Sequence, residues 1–104
     1  MAQPPKLTEE QRKAALEKAA EARRVRAEVK ELLKTGSLRL SDLFKRAESE
    51  ELLGGLKVES LIAAMPGTGK IKAKRLMESL GIAENRRIRG LGEKQKEALI
   101  QEFS

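Results

Sequence analysis

The chain has 104 residues, 37% of them charged and 39% hydrophobic, with a mean hydropathy of −0.51, so it has room for one small domain with a modest core. Its 22 Lys and Arg against 16 Asp and Glu give a net charge of +6 and a pI of about 9.8, which points to a polyanionic partner. Cys and His are both absent, which excludes disulfides, thiol nucleophiles, imidazole bases and the usual zinc ligands together.

Residues 1–7 contain Pro4 and Pro5 and read as a short disordered arm without the apolar core of a signal sequence. No apolar run approaches membrane-spanning length, so the expectation is a cytoplasmic chain that makes no membrane contact. Thr8 and Gln11 then fit a capping box, and an Ala-, Glu-, Lys- and Arg-rich run continues to Lys34 before Thr35-Gly36 closes it. This predicts one long helix within residues 8–36.

At about 100° per residue the helix resolves into three faces. Ala14, Ala15, Ala22, Val25, Val29, Leu32 and Leu33 form an apolar stripe, with Arg12, Arg23, Arg26, Lys30 and Lys34 beside it. Glu10, Glu17, Glu21, Glu28 and Glu31 fill the rest, and Lys13 and Arg24 among them are expected to form salt bridges within the helix. Large apolar residues come mainly from Val25 onward, so the first three turns or so are expected to project past the core, where they could lie along a ligand. The plain alternative is a solvated, salt-bridged helix. Sorting of the signs onto separate faces weighs against it, because such a helix gains from opposite charges at i, i+4 on every exposed face.

From Ser37 to Met65 the pattern changes to short core helices. Leu40, Leu43, Phe44 and Ala47 repeat at helical spacing, as do Val58, Leu61, Ile62 and Met65, with Gly54-Gly55 as a break between them. Asp42, the single aspartate, reads as a first-turn partner of its helix dipole rather than a catalytic base. Lys70 to Leu80 predicts a further helix with Ala73, Leu76, Met77 and Leu80 facing in, ended by Gly81. Ile82, Ile88 and Leu91 pin a connecting segment, and Glu93 to Phe103 supplies a last helix. No segment alternates convincingly enough for a strand. The expected fold is all-α: a long N-terminal helix followed by a small helical domain over residues 37–104.

The rest of the chain is organised around Met65 to Arg89. Pro66 should stop one helix, and Gly67 and Gly69 permit a turn tight enough to aim backbone N–H groups outward before the next helix starts at Lys70. Such a helix start carries partial positive charge and suits an anion, here a nucleic-acid phosphate. Residues 67–89 place seven cations against two acids around it. A nucleotide P-loop does not fit, since Ala64 stands where its first glycine belongs and Ile71 where its magnesium-binding hydroxyl belongs. A dinucleotide fingerprint fails for want of a third glycine and a parallel sheet. A glycine turn that merely joins two helices is the plain alternative, and the clustered cations weigh against it.

Met65-Pro66-Gly67-Thr68-Gly69-Lys70-Ile71-Lys72-Ala73-Lys74-Arg75-Leu76, with Leu80-Gly81-Ile82 and Arg86-Arg87-Ile88-Arg89-Gly90-Leu91, resembles the helix–two-turns–helix element of a bacterial small-subunit ribosomal protein and of formamidopyrimidine-type DNA glycosylases. Across Pro4 to Phe103, including Ala14 to Ala20, Ala22 to Glu28 and Leu56-Lys57-Val58, the chain is more closely similar to the actinobacterial integration host factor family. That resemblance implies a monomeric, non-enzymatic nucleoid-associated protein without cofactor or metal. It would bind double-stranded DNA with little sequence preference, bend it, affect supercoiling and assist integration complexes, with an integrase or other nucleoprotein components as further partners. Its location would be the cytoplasmic nucleoid. Carried over by position, Gly67, Thr68, Gly69, Lys70, Lys72 and Lys74 would grip phosphates, and Arg86, Arg87 and Arg89 would contact the backbone or enter the minor groove. Arg23, Arg26 and Lys30 would make a second, separate contact surface. Two departures stand out, Thr68 where the family usually has an aliphatic residue and Met65 where it usually has leucine.

Duplex DNA is favoured also by what is missing. Single-strand readers stack bases on aromatic side chains, and this chain has no Trp, no Tyr and two Phe at core-like positions. No helix presents Asn, Gln and Arg together as a base-reading face. The alternatives are a ribosomal RNA-binding protein, which would carry a long basic C-terminal tail where this sequence stops at Ser104, and a DNA repair glycosylase. The latter needs a catalytic lysine where Ile71 stands, or an N-terminal proline where Ala2 follows Met1.

Overall fold

A computed structural model describes residues 8–103; the arm expected over residues 1–7 lies outside the described residues. Helix α1 spans Glu9–Thr35 and begins at the expected capping box. The Thr8 hydroxyl accepts from the Gln11 amide at 3.1 Å, while the Gln11 side-chain oxygen accepts from the Thr8 amide at 3.0 Å. A cap of this kind contributes about 1 kcal/mol. Gly36, at φ 78°, ends the helix, its amide turned to the carbonyls of Leu32 and Leu33.

Residues 8–21 are all exposed, Ala22 and Val25 are half-buried, and Val29 and Leu33 are buried. The projection expected from the position of the large apolar residues is therefore present. It stretches the described residues to 51 × 32 × 26 Å and their radius of gyration to 16.0 Å, against about 13 Å for a compact chain of this size. Leu32 departs from the expected inward stripe and is 39% exposed, because one step of about 100° from Leu33 turns it off the buried arc. Lys13 and Arg24 form no ion pair within 4.0 Å among the described residues. On an exposed helix, fixing two long side chains costs about as much as their screened attraction gains.

Five further α-helices and a single extra helical turn follow: α2 Leu40–Ala47, α3 Glu51–Gly54, α4 Val58–Ala63, α5 Gly69–Ser79, a 3-10 turn at Ile88–Gly90, and α6 Glu93–Glu102. The sequence pattern marks only a break where α3 forms. This one-turn helix is anchored by the buried Leu53, and Gly54 lies within it because the chain passes close to its neighbours there. A Cβ on Gly54 would meet the Ala47 carbonyl oxygen at 3.3 Å and the Arg89 Cβ at 3.5 Å.

The core draws on every element: Val29 and Leu33 from α1, Leu43 and Phe44 from α2, Leu61 and Ile62 from α4, Ala73 and Met77 from α5, and Leu99 from α6. Leu33 is fully buried, so its truncation to alanine would cost about 2–5 kcal/mol, a large part of a small domain's stability. The second half of α1 is thereby built into the helical body against α3 and α4. No strand forms among the described residues, but one antiparallel bridge joins Lys57 to Arg87. Across it the Val58 amide donates to the Arg86 carbonyl and the Ile88 amide to the Leu56 carbonyl, each at 3.0 Å.

Candidate nucleic-acid interface

Helices α4 and α5 are joined by a turn built as the residue types require. The Thr68 amide donates to the Met65 carbonyl at 3.1 Å, with Pro66 second in the turn and Gly67 third at φ 73°, the signature of a type II turn. Gly69 follows at φ 73° as well. A side chain at either would carry a left-handed backbone at a cost of about 1–2 kcal/mol. Nothing lies within 4 Å of where their Cβ atoms would be, so both turns face open space.

The amides of Gly69, Lys70 and Ile71 have no intrachain acceptor among the described residues, and the Thr68 side chain does not cap them. Each other α-helix carries an acid in its first turn, whereas α5 carries none and has Lys70 and Lys72 there instead. Cations at the positive end of a helix dipole are unfavourable by about 0.3–1 kcal/mol each, and an external anion relieves that repulsion.

The cations around the turn are not equivalent. Lys70 is exposed without a partner among the described residues, while the Lys72 ammonium donates to the Gly67 carbonyl at 3.3 Å and so braces the turn. Lys74 pairs with Glu84 at 3.7 Å, both side chains more than half exposed. In the connecting segment, Arg86 donates to the Gly90 carbonyl at 3.1 Å and Arg87 to the Gly55 carbonyl. Arg89 is exposed with no partner among the described residues.

Two clefts relate these groups to α1. One, of about 570 Å³, is lined by Lys18, Arg23 and Arg26 on the α1 side and by Lys57, Arg87 and Arg89 opposite, with Glu21 and Glu51 the acids among its walls. The other, of about 690 Å³, sets Lys30 and Lys34 beside the Gly67–Gly69 turn. The basic stripe of α1 thus borders both the arginine segment and the glycine turn, instead of standing apart from them as the sequence reading expected. The reason lies in the register: Arg23, Arg26, Lys30 and Lys34 each follow an inward-turned residue, Ala22, Val25, Val29 and Leu33. Burying the apolar residue carries the next one, about 100° further round, to the rim of a cleft.

Lys34, Lys57 and Lys18 also line these clefts, beyond the candidate residues the sequence pattern marks. For Lys34 the signal was available in the basic stripe; Lys57 arrives through the bridge to Arg87, which leaves no local pattern. A third concavity, of about 710 Å³, is lined by Leu38, Met65, Pro66, Ile100 and Phe103 with Arg39 at its edge, and its apolar walls do not suit an anion. No polar or charged side chain is buried among the described residues, and no helix there is long and apolar enough to cross a membrane.

Comparison with known proteins matches residues 33–103 to the S13-like H2TH domain family. The chain is 54% identical over 99 residues to an integration host factor of Mycobacterium tuberculosis, covering 95% of this chain and 94% of that one. It is 52% identical over 103 residues to an integration host factor of Streptomyces coelicolor, covering 99% and 95%. Among solved structures, that of sIHF bound to an 8bp palindromic DNA superposes with a TM-score of 0.81 at 48% identity, over 85% of this chain and 99% of that one.

Proposed function

We propose, from the premise that this chain belongs to the actinobacterial integration host factor family, that it is a nucleoid-associated protein that binds double-stranded DNA. The observation that carries this reading is the placement of α1's basic stripe against both the glycine turn and the arginine segment, which makes one cationic track of groups far apart in sequence. On that track the open amides of Gly69 and Lys70, with the Lys70 ammonium, hold one phosphate. Gly67, Thr68 and Lys72 shape and support the turn, and Lys74 adds charge at its flank. Arg87 and Arg89, with Arg23 and Arg26 across the cleft, hold further phosphates or enter a narrowed minor groove, where guanidinium forks fit. Arg86, turned to Gly90, steadies the segment, and Lys30 and Lys34 extend the track to the turn.

Phosphate contacts position a protein without reading sequence, so binding is sequence-tolerant. A track lined from two sides holds a duplex best when the duplex bends to meet both, which supports DNA bending and an influence on supercoiling. In this reading residues 37–104 are the DNA-binding domain, with α1 as its second wall. The protein acts as a monomer in the cytoplasmic nucleoid, without catalysis, and its bent DNA serves integrases or other nucleoprotein partners. Gel shifts of duplex DNA, single-stranded DNA and structured RNA at one salt concentration test the reading. Duplex DNA is expected to bind tightest, and equal or tighter RNA binding would favour a ribosomal role instead.

A further inference from the structure

Ile71 is the most exposed of the large hydrophobic residues described, at 71%, ahead of Leu16 at 62% and Leu32 at 39%. A lone aliphatic residue on a surface is ordinary, so exposure carries nothing by itself. Its place does. Ile71 lies in the first turn of α5, two residues before the fully buried Ala73 and about 200° round from it, so it faces away from the core. Side chains of a helix lean toward its N-terminus, which tilts Ile71 over the Gly67–Gly69 turn. Lys70, Lys72, Lys74 and Arg75 surround it, and all four are exposed. An anion held at the open amides of Gly69 and Lys70 would bring a duplex's sugar edges to this side chain.

We propose that Ile71 is an apolar wedge that enters the minor groove beside the phosphate held at the glycine turn and helps to kink the duplex there. Aliphatic side chains can do this because they remove sugar and base edges from water and unstack a base step without needing hydrogen-bond partners. The inference rests on the DNA-binding reading above and adds to it a contact that is not electrostatic.

The test compares the full chain with Ile71→Ala, Ile71→Gln, Ile71→Met and Lys70→Ala on a fluorescently end-labelled duplex, reading affinity across a salt series, bend by energy transfer, and thermal unfolding. Ile71→Ala is expected to weaken binding about ten-fold and to reduce the bend, because apolar surface is no longer buried. Its slope of log affinity against log salt should stay at the parent's value, whereas Lys70→Ala should lower that slope by about 0.9. Ile71→Gln should behave as Ile71→Ala, Ile71→Met should retain affinity and bend, and all three should unfold at the parent's temperature. Parent-like affinity and bend for Ile71→Ala would overturn the wedge while leaving the DNA-binding reading intact, since Lys70→Ala would still lose affinity. A loss shared by Ile71→Met, or matched by a fall in unfolding temperature, would overturn it as well. A parent chain that does not bind duplex would remove both.

Discussion

The guanidinium of Arg87 donates to the backbone carbonyl of Gly55, 32 residues earlier in the chain, beside the bridge that pairs Arg87 with Lys57. The same residue therefore fastens the connecting segment to the end of α3 and presents charge in the cleft shared with Arg23 and Arg26. Arg89, one residue beyond Ile88, faces that cleft with no partner among the described residues.

This contrast separates fastening from binding. Arg87→Ala should cost about 1 kcal/mol, lowering the unfolding temperature by roughly 4–8 °C for a domain of this size. Arg89→Ala should unfold like the parent, and each should lower the salt slope of duplex binding by about 0.9 for the phosphate it no longer neutralises. Thermal melts beside salt titrations check both, and equal melting temperatures would deny Arg87 its fastening role.

The glycine turn makes a prediction about backbone rather than contacts. Gly69→Ala should destabilise by about 1–2 kcal/mol and weaken duplex binding, because the left-handed conformation is strained for alanine although space is open around it. Gly55→Ala is the comparison: Gly55 has φ −85° and only ordinary contacts at 3.7 Å, so alanine there should change little. Denaturant melts that rank the two variants the other way would contradict the conformational argument.

Replacing Arg23, Arg26 and Lys30 together by alanine removes the α1 side of the track while leaving the buried Val29 and the half-buried Ala22 and Val25 in place. Stability should hold within about 0.5 kcal/mol of the parent. A short duplex should still bind, and bending or compaction of longer DNA should fall, since one wall can hold a duplex that two walls deform. A triple variant that bends DNA like the parent would return that stripe to a solvated face.

The track as a whole predicts steep salt dependence. If about six phosphates are neutralised, duplex affinity should fall about 10³-fold between roughly 50 and 200 mM salt. Scrambled duplexes of equal length should bind within a few-fold of one another. A flat salt response, measured by fluorescence anisotropy, would exclude backbone phosphate as the main contact.

Sequence alone determined the parts whose cause is local. Thr8 and Gln11 cap α1 because the capping geometry spans three residues, Gly36 ends it, and Pro66, Gly67 and Gly69 make their turn from their own backbone preferences. The inward residues of α2, α4, α5 and α6 followed from helical spacing. So did the projection of α1, since alanines cannot anchor a helix to a core. The tertiary structure decided what depends on residues distant in sequence. Burial of Val29 and Leu33 fixes the rotation of α1, and only that rotation sends Arg23 and Arg26 to the arginine segment and Lys30 and Lys34 to the glycine turn. The bridge from Lys57 to Arg87 and the bond from Arg87 to Gly55 likewise leave no periodic trace, because their partners meet only when α3, α4 and the connecting segment pack around one core. A hydrophobic stripe fixes which face of a helix turns inward, but not which neighbour receives it, and here that choice sets the basic stripe of α1 beside both the arginine segment and the glycine turn.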